Sequence, residues 1–476
     1  MFDVIVIGGG AIGGAVLREL SRYDLDTCLL EKENDVCMGQ SKANSGIVHA
    51  GFDAKENTLK AKFNLLGNKK MKSYAEDLGV KYKNNGSLVV AFSDEDLITL
   101  NDLKKRGEKN GVEGLEIISA EELKNLEPNI SSSAKGALLA MSGGIVCPYE
   151  LTIAEIGNAM DNGAKLLTNF EAVKIEGEKG NFKVFSKSGE TVEGKIIVNC
   201  SGLSGEKISS LVGDNTFKIG ARRGEYILLD KTSGSFVNHT LFFTPTAKGK
   251  GILVSQTVDG NVILGPTAEE IQSGDTDTTQ EGLSSVLEKA KIMTVNPPVY
   301  NAITSFSGVR AYSDRHDFII EESKIKKGFI NCVGIESPGL TSAPAIGEYV
   351  VSEIIGKILP LKEKANFISK RKPDYFFNNL SDAEKNEIIK KDGRYGKIVC
   401  RCEKITEGEI VRAIKENPPA KDIDAVKRRT RAGMGRCQGG FCQPYVAEIL
   451  SRELGVSLEE VTKKGNNSEL LTGRTK

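Results

Sequence analysis

A short apolar strand at the start of the chain runs directly into a glycine-rich turn. The strand, DVIVI, is followed by three glycines in the pattern G-x-G-x-x-G, at Gly8, Gly10 and Gly13. The helical stretch AVLREL comes next, and a second strand, DTCLLE, ends in Glu31. Glycines at these positions permit a tight turn, close approach of the backbone to a pyrophosphate and close packing of the helix on the sheet. Because the helix N-terminus faces the phosphates and Glu31 can bind a ribose, the sequence predicts a dinucleotide-binding α/β domain.

The length and charge of the chain limit the classes it can belong to. Its 476 residues suggest more than one domain. Lys and Arg total 64, as do Asp and Glu, so bulk charge gives no indication of a nucleic-acid partner. No apolar run approaches the roughly 20 residues of a membrane span, although peripheral membrane contact stays open. The first strand begins at Asp3, which leaves no room for a signal peptide, and we expect a cytoplasmic protein.

Four of the nine cysteines are clustered near the C-terminus. They form a C-x-C pair and a C-x-x-x-x-C pair: Cys400, Cys402, Cys437 and Cys442. Thiolates at such spacing can hold a [2Fe-2S] cluster. Zinc is the main rival, but zinc sites favour C-x-x-C pairs. The other five cysteines are scattered, several of them in apolar stretches, and we expect buried thiols there.

Five arginines surround these cysteines in sequence. They are Arg401, Arg428, Arg429, Arg431 and Arg436. Their positive charge is expected to offset the negative charge of a cluster, and a solvated helix face or a docking patch is the alternative. Glycines between the cysteines would let backbone N–H groups approach the sulfides.

Strand and helix patterns divide the rest of the chain into interleaved parts. Residues 1–83, 146–215 and 311–360 are expected to form the nucleotide-binding domain, and 84–145 and 216–310 a second domain built on an antiparallel sheet. Helices are predicted to open at Ser119, Pro148 and Ser381. Residues 361–396 are expected to be a linker, and 397–476 a small helical module.

Several segments together resemble a known family. GGGAIGG, NSGIVHAGF, IIVNCSG, FSGVRAYSDRHDFII and GIESPGLTSAPAIG occur in the order found in FAD-dependent oxidoreductases of the D-amino-acid oxidase type. The resemblance covers about residues 1–360 and is closest to the branch of glycerol-3-phosphate and L-2-hydroxyglutarate dehydrogenases. The terminal module resembles the bacterioferritin-associated-ferredoxin-like (BFD-like) [2Fe-2S] domain, which is found fused to anaerobic-type glycerol-3-phosphate dehydrogenase. The implied fold is a Rossmann-like FAD-binding domain with an interleaved α+β substrate domain and a helical iron–sulfur domain.

The resemblance also implies which residues bind FAD. The three glycines of the turn match the pyrophosphate site and Glu31 the adenosine ribose ligand. The remaining positions match the adenine, pyrophosphate, flavin-face and ribityl contacts of the family: Val173, Gly202, Ser45, Gly46, Gly334, Gly339, Leu340 and Thr341. Helix N–H groups at the last of these could stabilise an anionic reduced flavin.

Oxidation of a secondary alcohol needs a base for the hydroxyl proton and a cation for the anionic tail. His49 lies in NSGIVHAGF, residues 44–52, which resembles the loop on the flavin face in the family and is called the flavin-face segment below. His49 is the first candidate for the base, since the pKa of imidazole is near neutral. Arg310 matches the family arginine that grips the substrate anion with its planar fork. Tyr226 could enter the pocket from the second domain, and Arg315 is a second candidate for a phosphate contact. The other histidines, His239 and His316, are weaker candidates.

The implied activity is oxidation of sn-glycerol 3-phosphate to dihydroxyacetone phosphate, with electrons passing through the cluster to a separate redox protein. L-2-hydroxyglutarate or another 2-hydroxy acid is the alternative substrate, and an amine or opine oxidase is a third reading. In a non-catalytic alternative the terminal module serves docking or iron sensing. No second dinucleotide fingerprint is visible, so direct use of a nicotinamide is not supported.

Overall fold

The computed structural model describes residues 1–245, 251–272, 274–371 and 377–473. The helices, in chain order from α1 to α12, are Ala11–Leu20, Leu59–Leu78, Asp94–Lys109, Ala120–Leu126, Pro148–Asp161, Gly205–Ser210, Gln280–Met293, Gly339–Tyr349, Asp382–Lys391, Glu407–Lys415, Ile423–Thr430 and Gln443–Leu454. Among these described residues, no helix combines the length and the apolar character that crossing a membrane requires.

The strands, in chain order from β1 to β22, are Phe2–Ile7, Thr27–Leu30, Ile47–Val48, Tyr82–Lys83, Ser87–Ala91, Leu115–Ser119, Gly136–Ala140, Gly144–Val146, Lys165–Leu167, Ala172–Glu178, Asn181–Ser186, Thr191–Asn199, Ile219–Leu229, Thr240–Phe243, Leu253–Gln256, Val262–Gly265, Glu269–Ile271, Ala302–Ser313, Ile319–Glu322, Phe329–Val333, Ile398–Cys400 and Ile405–Thr406. They form two large sheets and two small ones.

The first large sheet is parallel from β12 through β1 and β2 to β9, and antiparallel where β10 and β11 join β12 and where β19 joins β20. Its main order is β10-β11-β12-β1-β2-β9, and β20 pairs in parallel with the second half of β12. The central strands are almost wholly buried, as strands covered on both faces must be. Helices α1, α2, α5 and α8 pack against one another beside this sheet. This is the Rossmann-like arrangement that the sequence predicts.

The second large sheet is antiparallel apart from one pair of strands. Its order is β17-β13-β16-β15-β14-β5-β7-β6, with β18 along β13, and only β14 and β5 run parallel. Helix α7 buries Val286, Ala290 and Met293 in the core of this domain, and sequence patterns did not predict it. The interleaved α+β domain is otherwise as expected.

Two of the expected domain divisions fall inside strands. The division between residues 145 and 146 cuts β8, which pairs with β3 and β4 in a small three-stranded sheet. The division between 310 and 311 cuts β18, which continues along β13 to Ser313. Backbone pairing therefore carries each strand past the sequence-based boundary. Residues 372–376 of the expected linker and 474–476 of the terminal module lie outside the described part of the chain.

The terminal module has its own apolar core and packs closely against both other domains. Helices α10, α11 and α12 enclose residues such as Ile410 and Leu450. Asp35, just beyond β2, binds Arg428 at 2.5 Å and Arg429 at 2.8 Å, and all three side chains are buried. The module is thus held by buried ion pairs as well as by the chain that precedes it.

Helix α5 carries a carboxyl group into the core of the first domain. Glu155 is fully buried against Gly14 of α1 and accepts a hydrogen bond from Tyr74 at 3.0 Å. Its Oε2 atom has no hydrogen-bond partner among the described residues. Burial raises the pKa of Glu155 to about 8 from an ordinary 4.5. The folded protein therefore favours the neutral acid.

We expect Glu155→Gln to stabilise the protein at alkaline pH. The raised folded-state pKa means that the neutral acid contributes stability below about 4.5, which is lost as pH rises through about 8. The melting temperature of the wild type should fall relative to that of the variant as pH rises from 5 to about 9. The exposed Glu121→Gln change is the control, and identical pH profiles for wild type and Glu155→Gln would contradict the assignment.

Candidate functional site

A cleft of about 710 Å³ lies between the two large sheets. Its walls come from the N-termini of α1 and α8, the segment from Gln40 to His49, and strands β13 and β18. The cleft therefore receives residues from both domains, and six of the predicted site residues line it: Ser45, His49, Tyr226, Arg310, Gly339 and Leu340.

The glycine turn closes one end of the cleft. Gly8 has a φ of +109°, and a Cβ atom there would lie 2.5 Å from the carbonyl oxygen of Cys200. A Cβ atom on Gly13 would overlap the carbonyl oxygen of Gly8. Gly10 is the N-cap of α1 and has no side chain to cap the helix; the N–H of Ala11 donates to Ser41 Oγ at 2.9 Å, and Ala11 and Ile12 line the cleft. The turn thus leaves room for a pyrophosphate and for no side chain.

Glu31 lies directly beneath this turn. Its carboxylate accepts hydrogen bonds from the backbone N–H groups of Gly9 at 2.7 Å and Glu33 at 2.9 Å. Burial raises its pKa, and these two N–H groups offset part of the rise. Val173 lies on β10 and is 37% exposed, and Gly202 follows β12. These positions lie at or near the ends of strands in the first sheet.

The loop before α8 and the segment containing His49 form the opposite end. The N–H of His49 donates to Thr341 Oγ1 at 3.0 Å, and that hydroxyl donates to the carbonyl of Ile47 at 3.2 Å. His49 Nε2 lies 3.2 Å from Ser337 Oγ. Ser45, Gly339 and Leu340 also line the cleft. Gly46 and Gly334 do not; a Cβ atom on Gly46 would meet the carbonyl oxygen of Val146, and one on Gly334 would meet Ser313 Cβ.

Arg310 and Tyr226 enter the cleft from the second domain. Tyr226 is buried and stacks on Phe306 with ring centroids 4.9 Å apart. Burial raises its pKa, and the side chains of Arg310 and Ser45, which contact its hydroxyl, offset part of the rise. Arg310 donates to the carbonyl of Thr267 at 3.1 Å and has no carboxylate partner among the described residues. Within the described residues, Arg310 is thus a cation of the cleft wall that no carboxylate neutralises.

Three charged residues, Lys60, Arg222 and Glu336, meet in the cleft, and the sequence did not indicate that they would. Arg222 lies directly opposite Arg310 in the β13–β18 register. Glu336 pairs with Lys60 at 2.8 Å and with Arg222 at 3.6 Å. The only available signal was the proximity of Arg222 to Tyr226 and of Glu336 to the GIESPGL loop. Sequence spacing does not indicate that they meet.

The other candidates occupy less central positions. Arg315 and His316 line the edge of the cleft, where Arg315 already pairs with Glu321 at 2.8 Å. His239 binds Glu127 at 2.8 Å and is not among the residues that line the cleft. Of the three histidines, His49 and His316 therefore line the cleft, and His49 lies on the side formed by the loop before α8.

The four clustered cysteines meet in space. Cys402 Sγ and Cys437 Sγ are 3.7 Å apart, with Cys402 exposed, whereas Cys400 and Cys442 are buried. A hydrogen bond from Cys442 lowers the pKa of Cys400 to about 6 against the opposing effect of burial, and the N–H of Gly433 contributes. Burial alone would raise the pKa of Cys437. Hydrogen bonds from backbone N–H groups, including that of Phe441, have the larger effect and bring the pKa below its ordinary value. Four sulfurs surrounded by peptide N–H groups suit a [2Fe-2S] cluster.

Four of the five arginines near the cysteines bind carboxylates. Arg428 and Arg429 bind Asp35, Arg431 binds Asp259 and Glu403, and Arg436 binds Asp230 at 3.1 Å. Their charge is therefore neutralised mainly by carboxylates of the other two domains. Only Arg401 of the five lacks a carboxylate partner in the described residues.

Comparison with known proteins agrees with this geometry. The family of FAD dependent oxidoreductases matches residues 3–353, and the BFD-like [2Fe-2S] binding domain matches 398–452. The chain is therefore a member of the FAD dependent oxidoreductase family that carries a BFD-like [2Fe-2S] domain. It is an FAD-dependent oxidoreductase, and its cofactors are FAD and a [2Fe-2S] cluster rather than zinc.

Individual relatives narrow the comparison. The chain is 49% identical to glycerol 3-phosphate dehydrogenase of Caloramator mitchellensis, over 100% of this chain and 99% of that protein. It is 33% identical to glycerol 3-phosphate oxidase of Mycoplasma genitalium, over 77% of this chain and 97% of that protein. The FAD-bound L-alpha-glycerophosphate oxidase structure from Mycoplasma pneumoniae is 31% identical, with a TM-score of 0.74 over 78% of this chain and 98% of that one.

We expect Gly13→Ala to abolish FAD binding, because the added methyl group would overlap the Gly8 carbonyl and displace α1 from the turn. The measurement is the ratio of flavin absorbance to protein absorbance after purification. Gly39→Ala is the matched control, since its Cβ would meet nothing within 4 Å. Full FAD content in Gly13→Ala would show that the turn does not hold the pyrophosphate.

Proposed function

We propose that this enzyme oxidises sn-glycerol 3-phosphate to dihydroxyacetone phosphate and passes the electrons through its [2Fe-2S] cluster to a separate redox protein. The observation that carries the substrate assignment is the difference between Arg310 and its cross-strand neighbour Arg222. Arg222 already pairs with Glu270 at 3.3 Å and with Glu336 at 3.6 Å, whereas Arg310 has no carboxylate partner in the described part of the chain and can bind an anion. The similarity to proteins named for glycerol 3-phosphate supports a phosphate as that anion.

Each side chain has a definite task in this scheme. Arg310 can give two parallel N–H bonds to a phosphate, and Tyr226 keeps its guanidinium in place. His49 can take the hydroxyl proton at Nε2, the atom that lies beside Ser337. FAD, when bound, supplies the acceptor for the hydride. The cleft wall, which includes Phe242 and Leu253, limits the access of water to the reacting carbon.

A 2-hydroxy acid is the second candidate substrate. L-2-hydroxyglutarate dehydrogenase of Escherichia coli K12 is 32% identical, but over 56% of this chain and 64% of that protein. A carboxylate would suit the arginines as well as a phosphate does. Glycine oxidases share the fold at about one-fifth identity, which supports no amine substrate. In the non-catalytic alternative, the terminal module serves only docking or iron sensing. The cluster held by the four cysteines would then take no part in turnover.

The acceptor is proposed to be a protein because the cluster site is open to solvent. Cys402 is exposed, and Phe441, in the loop between the last two cysteines, is 80% exposed. An exposed aromatic side chain beside a redox centre suits contact with another protein. The buried free thiols elsewhere in the chain suit a reducing compartment, and we place the enzyme in the cytoplasm.

We expect Arg310→Ala to lower kcat/KM for glycerol 3-phosphate by at least about 30-fold, because losing a charged contact in an enclosed site costs roughly 2–5 kcal/mol. FAD content should not change. Arg315→Ala should cost less than about tenfold, since its guanidinium already pairs with Glu321. Steady-state kinetics with glycerol 3-phosphate and L-2-hydroxyglutarate measure the effect, and equal losses in the two variants would remove Arg310 from the anion site.

We expect the double variant Cys437→Ser, Cys442→Ser to keep the reductive half-reaction. Substrate oxidation needs the cleft residues, which lie in the other two domains, so glycerol 3-phosphate should still bleach the flavin anaerobically. Turnover with a protein acceptor should be lost, and dyes that reach the flavin should still be reduced. The full-length chain is used because truncation would remove the partners of Asp35 and Asp259. A flavin that substrate no longer bleaches would rule out this division of labour.

A further inference from the structure

One buried arginine joins all three domains of the protein. Arg431 follows α11, with a φ of +70° and a side chain that is 7% exposed. Its Nε donates to Glu403 at 2.8 Å, Nη1 donates to Asp259 at 2.6 Å and to the hydroxyl of Tyr149 at 3.2 Å, and Nη2 donates to Asn261 at 3.2 Å. We name Arg431 and these four partners the Arg431 junction.

The junction lies between the cysteine loops and the flavin-face segment. On one side, Glu403 directly follows Cys402, and a Cβ atom on Gly435 would overlap Cys402 Cβ. Met434, next to Gly435, accepts a hydrogen bond from the Tyr149 hydroxyl at 3.3 Å. Arg431 and Met434 therefore connect both cysteine loops to Tyr149.

On the other side, Tyr149 connects to the segment that faces the flavin. It lies in the first turn of α5, immediately after Pro148. A Cβ atom on Gly46 would lie 3.4 Å from Pro148 Cδ, and the N–H of Val146 donates to the carbonyl of Gly46 at 2.8 Å. The contacts from Cys402 through Tyr149 to Gly46 are thus continuous.

We propose that Arg431 is a positioning residue that holds the cysteine loops against the flavin-face segment and so sets the rate at which electrons pass from flavin to cluster. This inference rests on the proposed function. Each passage removes one electron from the reduced flavin and reduces one ferric iron of the cluster to ferrous iron. A second passage, after the acceptor has taken the first electron, returns the flavin to its oxidised form and releases its protons to solvent.

The junction can be weakened without leaving a buried charge unpaired. Asp259 also binds Lys81 at 2.5 Å, and Glu403 also binds Lys231 at 2.7 Å. Each carboxylate therefore keeps one cation when Arg431 is replaced. The ion pairs of Asp35 with Arg428 and Arg429 are separate and continue to hold the module. A variant at Arg431 should fold, with its cysteine loops less constrained.

The test compares full-length Arg431→Gln with wild type. Arg452→Gln is the control, because Arg452 also binds a carboxylate of the terminal module, that of Glu407 at 2.7 Å, but its side chain is 51% exposed and it lies ten positions beyond the last cysteine. Stopped-flow absorbance follows flavin bleaching by glycerol 3-phosphate, and freeze-quench electron paramagnetic resonance follows cluster reduction. Hydrogen–deuterium exchange of residues 399–405 and 430–442, without substrate, reports the constraint on the loops.

Flavin bleaching should stay within about twofold of wild type in both variants, and cluster reduction should slow about tenfold or more in Arg431→Gln alone, as expected for lost positioning. The two cysteine segments should exchange faster in that variant. Tyr149→Phe, which removes a single hydroxyl, should slow cluster reduction in the same direction and by a smaller factor.

Cluster reduction at the wild-type rate in Arg431→Gln and Tyr149→Phe would overturn the inference, whatever the exchange data. A different result would overturn the relay in the proposed function: a wild-type cluster that stays oxidised while its flavin bleaches. The two failures are distinguishable because the first concerns only the variants and the second the wild type.

Discussion

The approach of α1 to the first sheet at the glycine turn is the constraint on which the site depends. Gly8 and Gly13 meet with no side chain between them, so α1 begins directly at the end of β1. Helix α8 packs on α1, and α2 packs on α8, so the N-terminus of α8 is brought to the same cleft. Two helix N-termini then face a space that an anionic dinucleotide can fill. A displacement at the turn would move both ends of the cleft.

The second constraint is the set of buried ion pairs that hold the terminal module. Burial alone would raise the pKa of Asp35, yet the guanidiniums of Arg429 and Arg428 bring it down to about 2. The cost of removing both charges from water offsets most of their attraction, so the net contribution of such pairs to the free energy of folding is small. Their geometric effect is larger, because displacing the module would leave charges buried without partners. The ion pairs therefore select one placement of the cysteine loops.

The sequence predicted the features that depend on neighbouring residues. The strand–turn–helix at the N-terminus, the helices opened by Ser119, Pro148 and Ser381, and the cysteine set are all encoded within short segments. It did not predict that Asp35 would bind Arg428, since the two are 393 positions apart. The spacing of Val286, Ala290 and Met293 fits a helix, but the strands on either side of α7 led to the expectation of an uninterrupted sheet.

Within the site, too, the sequence indicated single residues from local patterns but not the contacts between residues far apart in the chain. Family motifs indicated His49 and Arg310, the position of Tyr226 in the second domain suggested that it enters the same pocket, and all three line the cleft. The pairing of Arg222 with Arg310 depends on the register between β13 and β18, which are separated by more than seventy residues in the chain. Likewise, the Lys60–Glu336 pair joins residues 276 positions apart. Local patterns identify which residues are available, and strand register and helix packing decide which of them meet.

The way the module bridges the other domains also limits how substrate reaches the cleft. It binds Asp35 of the first domain and Asp230 and Asp259 of the second, so rotating these two domains apart would break ion pairs on both sides. Opening by rotation would therefore expose several charges at once and cost far more than a loop movement. The edge of the cleft at Asp53–Lys55 and Arg315–Asp317 consists instead of short connections outside the large sheets. Movement of these connections would open the cleft without breaking the ion pairs of the module or of the Arg431 junction.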